Sequence, residues 1–266
     1  MKDLFSENSF VYQQARPSYP HEVVAEILKH VPSMQFAWDC GAGSGQFTQL
    51  LAPYFEQVVA TDLSTAQLQQ APYFENVSYQ LQYAEKTTFS DHSFDLITVA
   101  QAIHWFNFDA FYAEVKRTLK ENGVLAVIGY GLIEIKEQKL NDLLHSLYFK
   151  TLNGYWDNER KYIDQAYKTI PFPLDELDVP ELKMNYQWNG DQLLNYLSTW
   201  SALKNYAKQN NNDPLQPLKD YLNDEKNLDV VYQVEFPIFL RIGRMQTDTN
   251  QRKCKKVPFM KYAFKS

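Results

Sequence analysis

The sequence predicts an α/β fold: a parallel sheet with helices on both faces. Three observations carry this expectation. Apolar runs at 34–39, 57–62, 94–100 and 123–130 have the length of strands buried on both faces. Amphipathic helical patterns alternate with them, as in chains of βαβ units. The first run passes directly into a glycine-rich turn, Asp39-Cys40-Gly41-Ala42-Gly43-Ser44-Gly45.

Ahead of the first strand, Val23, Val24, Ile27, Leu28 and Val31 form a helical stripe, with Pro20 placed in the first turn and Pro32 ending the helix. The second strand ends in Thr61-Asp62-Leu63-Ser64, and residues 77–83 alternate apolar and polar side chains. Phe108, Phe111, Tyr112, Val115 and Leu119 share one helix face, which Asn107 or Asp109 can cap and Gly123 follows. After Tyr130 the rhythm changes. Residues 134–170 read as helices rich in aromatic side chains, 182–188 as a strand, and 191–208 and 214–223 as helices. The long β-like stretch 228–244 is interrupted by Pro237, which suggests an edge position or a bend. The stretch 246–266, with Arg252, Lys253, Lys255, Lys256, Lys261 and Lys265 against Asp248, reads as a basic, flexible tail.

Composition narrows the function. The 266 residues suffice for one large domain, or for one domain with an insertion. Hydrophobic residues at 45% and charged residues at 22% argue against a disordered chain. No apolar run approaches the ~18 residues of a transmembrane helix. The first residues lack the apolar core of a signal peptide, so a cytoplasmic location is expected and no membrane partner. Cys40 and Cys254, the only two cysteines, cannot build a disulfide framework or a Cys-rich zinc site, and no His/Cys cluster has metal-ligand spacing, so no metal is expected. A net charge of −6 argues against nucleic acid as a partner. Aromatic residues reach 15%, with 18 tyrosines.

The glycines are spaced Gly-x-Gly-x-Gly. The third glycine of the dinucleotide fingerprint would fall at position 46, which is Gln46, so the loop suits another nucleoside ligand better than a pyrophosphate. Asp62 stands at the end of the second strand, about 20 residues on, where such sheets place a ribose-binding acid. The plainer alternative is that the glycines only turn the chain and Asp62 only caps the next helix.

With these motifs in place, the sequence resembles the class I S-adenosylmethionine-dependent methyltransferases. DCGAGSGQFT is similar to the family's first motif and VVATDLS to the strand end with the ribose acid. Tyr83-Ala84-Glu85 resembles the segment edging the adenine, and the run from Ser93 to Phe106 resembles the fourth strand and the active-site rim. Tyr12, Arg16-Pro17, Tyr19-Pro20, His104-Trp105 and the segment from Tyr196 to Ser201 are similar to the small-molecule branch related to trans-aconitate methyltransferases, a methyltransferase type 11 domain. The resemblance implies a Rossmann-like, seven-stranded, mostly parallel sheet whose last strand is antiparallel, plus a helical cap. It implies an N-terminal helical arm at 1–33, a cofactor-binding core at 34–133, a helical cap segment at 134–180, and final core strands with inserted cap helices at 181–245. It also implies a cofactor site of Asp39, Gly41, Ala42, Gly43, Gly45, Asp62, Leu63, Ala84, Glu85 and Gln101, with Arg16 and Tyr12 from the arm. Glu85 stands where an Asp is often found.

The expected reaction is methyl transfer from S-adenosylmethionine to a small molecule, leaving S-adenosylhomocysteine, by a monomer or homodimer. A carboxylate acceptor is favoured, since it is already a nucleophile at neutral pH; a phenol, amine or carbon acid would need a base. His104 is the candidate base, near Gln101 on the floor between cofactor and substrate. Arg16 is a candidate carboxylate clamp. Tyr19, Trp105, Trp156 and Trp200 are candidate pocket walls. The competing readings are a nicotinamide-dependent oxidoreductase, a binding protein that keeps the cofactor fold without catalysis, and a methyltransferase for another acceptor, such as a quinone, an amine or a macromolecule.

Overall fold

The computed structural model of the protein describes residues 16–245, so Tyr12, Cys254 and the basic stretch 246–266 lie outside the described residues. Helix α1 (His21–Leu28) buries Val23, Val24 and Ile27. Pro20 is its N-cap, with extended backbone, one position outside the first turn expected of it. There follow β1 (Phe36–Cys40), α2 (Thr48–Leu51), β2 (Gln57–Asp62), α3 (Thr65–Leu68), β3 (Val77–Leu81), β4 (Phe94–Ala100), α4 (Phe108–Thr118) and β5 (Leu119–Tyr130). Asn107, one of the two expected caps, starts α4 by accepting from the Ala110 N–H at 3.1 Å.

Strand β1 pairs in parallel with β2 and β4, β2 with β3, and β4 with β5. The chain then adds β6 (Glu134–Ile135), α5 (Gln138–Ser146), α6 (Arg160–Asp164), β7 (Asp175–Leu177), β8 (Leu182–Trp188), α7 (Gly190–Ser198), α8 (Ser201–Ala207), α9 (Gln216–Leu222) and β9 (Tyr232–Arg244). The stretch 134–170, expected as helices, opens on β6 and holds α5, a π-helical turn at Leu147–Thr151 and α6, and the expected helix at 191–208 is broken at Thr199 and Trp200. Strand β9 is antiparallel to everything it pairs with: β5 and β6 on one side, β8 and β7 on the other. Nine strands thus fill seven positions in the order β3-β2-β1-β4-β5-β9-β8, with β6 prolonging β5 and β7 prolonging β8. This is the mostly parallel sheet that was expected.

Residues alternate between two cores, as the period of two in a strand requires. Ala37, Leu96, Val124, Ala126 and Ile128 face α1, α2 and the later helices, while Trp38, Ile97, Val99, Leu125 and Val127 face α4. Pro237 corrects one expectation: it lies in an interior strand. Its missing N–H costs nothing there, because it falls opposite the break between β5 and β6, where its carbonyl accepts from the Gly131 N–H at 3.0 Å.

Phe236 joins the sheet to α7. It is fully buried, edge-on to Tyr130, Trp188 and Tyr196 at 5.2–5.6 Å between ring centroids. Phe236→Ala is expected to lower the unfolding free energy by about 3–5 kcal/mol. Urea denaturation followed by tryptophan fluorescence measures this; a loss below about 1 kcal/mol would contradict the placement.

Candidate active site

The parallel strands all end at one edge of the sheet, and the site is built there. Asp39 closes β1. It is fully buried, and its carboxylate accepts from the Thr48 hydroxyl at 2.6 Å and the Thr98 hydroxyl at 2.8 Å. Burial pushes its pKa up to about 6. Both oxygens are engaged beneath the loop, so Asp39 braces the turn from below.

Above it the chain turns through Gly41, Ala42, Gly43 and Gly45. Gly41 N and Ala42 N both donate to the Thr61 carbonyl, which ties the loop to β2. Gly41 has φ +71°, and a Cβ there would lie 2.5 Å from Ala102 Cβ, so this glycine is needed for packing. Gly43 differs: at φ +56° a side chain would meet only Gln67 Oε1 within 4 Å, at 3.8 Å. Its position forms a cradle open to a ligand. Asp62, half-buried at the end of β2, accepts from Gly43 N–H at 2.8 Å on one oxygen and from Ser64 N–H at 2.9 Å on the other. It therefore ties the glycine loop to the turn ahead of α3, whose N-cap is Ser64, and each oxygen keeps a further lone pair toward the cradle. Leu63 is half-buried beside it, and Ala84 is buried. Glu85 Oε1 accepts from Asn107 N–H at 3.0 Å, anchoring the β3 exit to α4.

At the exit of β4 a second group converges. Gln101 has a left-handed backbone, φ +53°, a conformation uncommon outside glycine. Its Nε2 donates to the Tyr130 carbonyl at 3.1 Å, and its Oε1 accepts from the Tyr167 hydroxyl at 3.2 Å. The Tyr130 carbonyl can only accept, so the amide orientation is determined. Tyr167 then spends its single proton on Gln101, and its oxygen accepts from His104 Nδ1–H, the two atoms lying 3.0 Å apart. In the neutral ring this arrangement leaves the lone pair on Nε2. Burial first, and the Arg160 charge second, depress its pKa to about 3. So low a pKa makes His104 a poor match for removing a proton from a phenol or ammonium at neutral pH. Trp105 is half-buried beside it, ring centroids 5.0 Å apart.

Tyr167 comes from the cap and was missed in the sequence. Ala166 and Tyr167 both have positive φ (52° and 59°), and Arg241 Nη1 donates to the Tyr167 and Ile170 carbonyls at 2.9 and 2.8 Å. The Tyr167 ring occupies the space where a Gly129 side chain would stand, since an added Cβ would lie 2.5 Å from it. No local pattern announces such a residue. Tyr130 could have been found, because it ends β5 at the ligand-binding edge; its hydroxyl accepts from Arg16 Nη1 at 3.0 Å.

Of the remaining candidates, Tyr19 is buried edge-on to Phe47 and Tyr130, and its hydroxyl meets no partner among the described residues. Arg16 also lies over the Tyr196 ring, 5.7 Å from its centroid. Trp156 is half-buried, whereas Trp200 is 2% exposed and packed against Tyr148, Trp156 and Tyr196. Trp200 is therefore a core residue of the cap, not the pocket wall expected. Among the described residues no three His, Cys, Asp or Glu side chains group as metal ligands, and no helix is long and apolar enough to cross a membrane.

Residues 38–127 match a family described as a methyltransferase domain. Over 255 residues the chain is 35% identical to a protein of Dictyostelium discoideum named as a methyltransferase, a match spanning 92% of this chain and 95% of the other. The chain belongs to the class I S-adenosylmethionine-dependent methyltransferases. This methyltransferase is also 25% identical, over 88% of its length and 94% of the relative's, to a Saccharomyces cerevisiae protein named as an S-adenosylmethionine-dependent methyltransferase. A solved structure from Anaeromyxobacter dehalogenans, described as a type II methyltransferase, superposes with a TM-score of 0.80 at 34% identity, covering 87% of this chain and 99% of that one.

Two predictions follow from this geometry. Asp62→Ala is expected to weaken S-adenosylhomocysteine binding by ~1–3 kcal/mol in calorimetric titration, and Gly43→Val to abolish it in a folded protein; unchanged affinity in either would remove that residue from the cofactor site. For His104 the folded pKa lies below the unfolded value of about 6.5, so the unfolded state binds the extra proton and stability falls as pH drops from about 6.5 toward 3. Asp39, with a raised pKa, acts in the opposite sense between about 4 and 6, so the comparison must be made against His104→Gln. Wild type is expected to lose ~1.4 kcal/mol per pH unit relative to that variant between pH 6 and 4; parallel curves would contradict the buried neutral imidazole.

Proposed function

We propose that this methyltransferase esterifies a small carboxylic acid, in a pocket between the glycine loop and the cap formed by 134–180 and the helices within 181–245. The observation that carries this reading is the shortage of bases around Gln101. His104 is held neutral with a pKa of about 3. Burial raises the phenols of Tyr19 and Tyr167 and pushes that of Tyr196 up to about 12. Asp39 is fully buried with both oxygens engaged. A carboxylate needs no proton removed before it attacks, whereas an amine, phenol or carbon acid does.

The residues present fit S-adenosylmethionine. The Gly43 cradle is open to a ligand, the Asp62 oxygens retain acceptor capacity toward a ribose diol, and the orphaned Tyr19 hydroxyl is a buried polar group in want of a partner. We assign Gly41, Ala42, Gly43 and Gly45 to the methionine part, Asp62 and Leu63 to the ribose, and Ala84 and Glu85 to the adenine. When bound, the cofactor supplies a methyl group on a positively charged sulfur. The chain's own task is to position and to exclude water. Gln101, locked by the Tyr130 carbonyl and the Tyr167 hydroxyl, forms a rigid floor between cofactor and acceptor. His104 holds Tyr167 in register, which makes it a positioning residue. Arg16, anchored on the Tyr130 hydroxyl, brings positive charge to the acceptor side, and Trp105 and Trp156 border the space.

The test is turnover with methyl-deuterated S-adenosylmethionine against a pool of short-chain carboxylic acids, with mass spectrometry of the products. The expected product is a methyl ester that mild alkali returns to the acid, with kcat level within about twofold from pH 6 to 9. A label on nitrogen or carbon, or a kcat rising tenfold per pH unit through neutrality, would contradict the carboxylate assignment.

A further inference from the structure

Arg160 begins α6, which packs on the short turn Ile103–Trp105 carrying His104. Its side chain is only 18% exposed. The guanidinium lies over the rings of Tyr148 and Trp156, at 5.2 and 4.8 Å from their centroids. Nε donates to the Tyr148 hydroxyl at 2.7 Å and approaches Asp164 Oδ1 at 3.4 Å. Asp164 gives little compensation: the contact is long, its side chain is 46% exposed, and the same oxygen accepts from the Tyr148 hydroxyl. Nη1 and Nη2, the pair that matches a carboxylate in shape, meet no acceptor among the described residues. Neither atom is buried without a partner, so the pair stays open to solvent and to an incoming anion, while the Nε bond and the two rings hold the guanidinium in place. Its charge lowers the pKa of His104 and offsets part of the rise that burial gives the Tyr167 and Tyr196 phenols.

We propose that Arg160 determines acceptor specificity, its Nη1 and Nη2 gripping an anionic group of the acceptor against the Tyr148 and Trp156 rings. The gripped group is not the reacting oxygen. A bidentate guanidinium draws charge from both oxygens and weakens them as nucleophiles, so the anchor holds a second group while the nucleophile stands over Gln101.

This inference rests on the methyl-transfer reading above, and its test separates the two. Wild type, Arg160→Lys and Arg160→Met are compared on a panel of short-chain dicarboxylic acids, their monoamides, amino acids and neutral phenols. KM, kcat and S-adenosylhomocysteine affinity are measured for each, with thermal melting to verify folding. The expected result is a KM at least tenfold higher for anionic acceptors in Arg160→Met, an intermediate rise in Arg160→Lys, kcat changed less than KM, and cofactor affinity within twofold of wild type. An unchanged KM overturns the proposal. So does a parallel loss of S-adenosylhomocysteine affinity, which would give the donor pair to the cofactor's own carboxylate, and so does a wild type that neither methylates nor binds any anion of the panel. Methylation at nitrogen would defeat the carboxylate reading alone; the Arg160 assignment then stands or falls on whether the KM shift is confined to anionic members.

Discussion

One hydroxyl proton organises the site. Tyr167 donates it to Gln101 Oε1, and the same oxygen accepts from His104 Nδ1. Because the Tyr130 carbonyl fixes the amide of Gln101, each polar atom in the chain has one admissible role. Tyr167 follows α6 and Gln101 follows β4, so this bond also ties the α6 segment to the exit of β4. Left-handed backbone at Gln101, Ala166 and Tyr167 is the conformational cost of the arrangement, and such strain persists only where surrounding contacts enforce it. Those contacts are visible: Arg241 holds the Tyr167 and Ile170 carbonyls while Glu176 holds Arg241 through two oxygens at 2.7 and 2.8 Å, and Gly129 leaves the ring its space.

The glycine loop follows the same logic from the other side. The buried Asp39 carboxylate joins α2 to β4 through Thr48 and Thr98, and the Thr61 carbonyl gathers two loop amides. The loop is thereby rigid before any ligand arrives, and preorganisation of this kind lowers the ordering cost of binding. Rigid floor and rigid cradle suit a reaction in which placement, not proton transfer, is the protein's main contribution. The charges are arranged likewise: Arg16 and Arg160 both act on Tyr196, while burial holds the pKa of the His104 imidazole low.

Much of this was legible in the sequence because it is local. Continuous apolar runs marked β2 and β4 residue for residue, and Asn107 announced the start of α4. Gly43 and Asp62 were found because loop and strand end obey a spacing rule, and they do meet, at 2.8 Å. What escaped depends on distant partners. Tyr167 reaches Gln101 across 66 residues of sequence and His104 across 63. Nothing near position 167 signals that. His104 was correctly placed at the sheet's edge, but its basicity depends on burial beneath the cap, which no motif encodes. Pro237 misled for a similar reason: a proline in an interior strand is excluded only where a neighbour needs its N–H, and here the neighbouring strand is broken. Trp200 and Trp156 looked alike in sequence; packing separates them, one sealed in the cap and one at its border.

The central claim is a pocket that transfers a methyl group without a general base. Its most direct test is nitrogen-15 NMR of the His104 imidazole in the S-adenosylhomocysteine complex, titrated from pH 5 to 8 and assigned by comparison with His104→Gln. The account predicts a neutral ring throughout, protonated at Nδ1 and unprotonated at Nε2, with no titration in that range. A midpoint near 6.5, or a proton on Nε2, would contradict it.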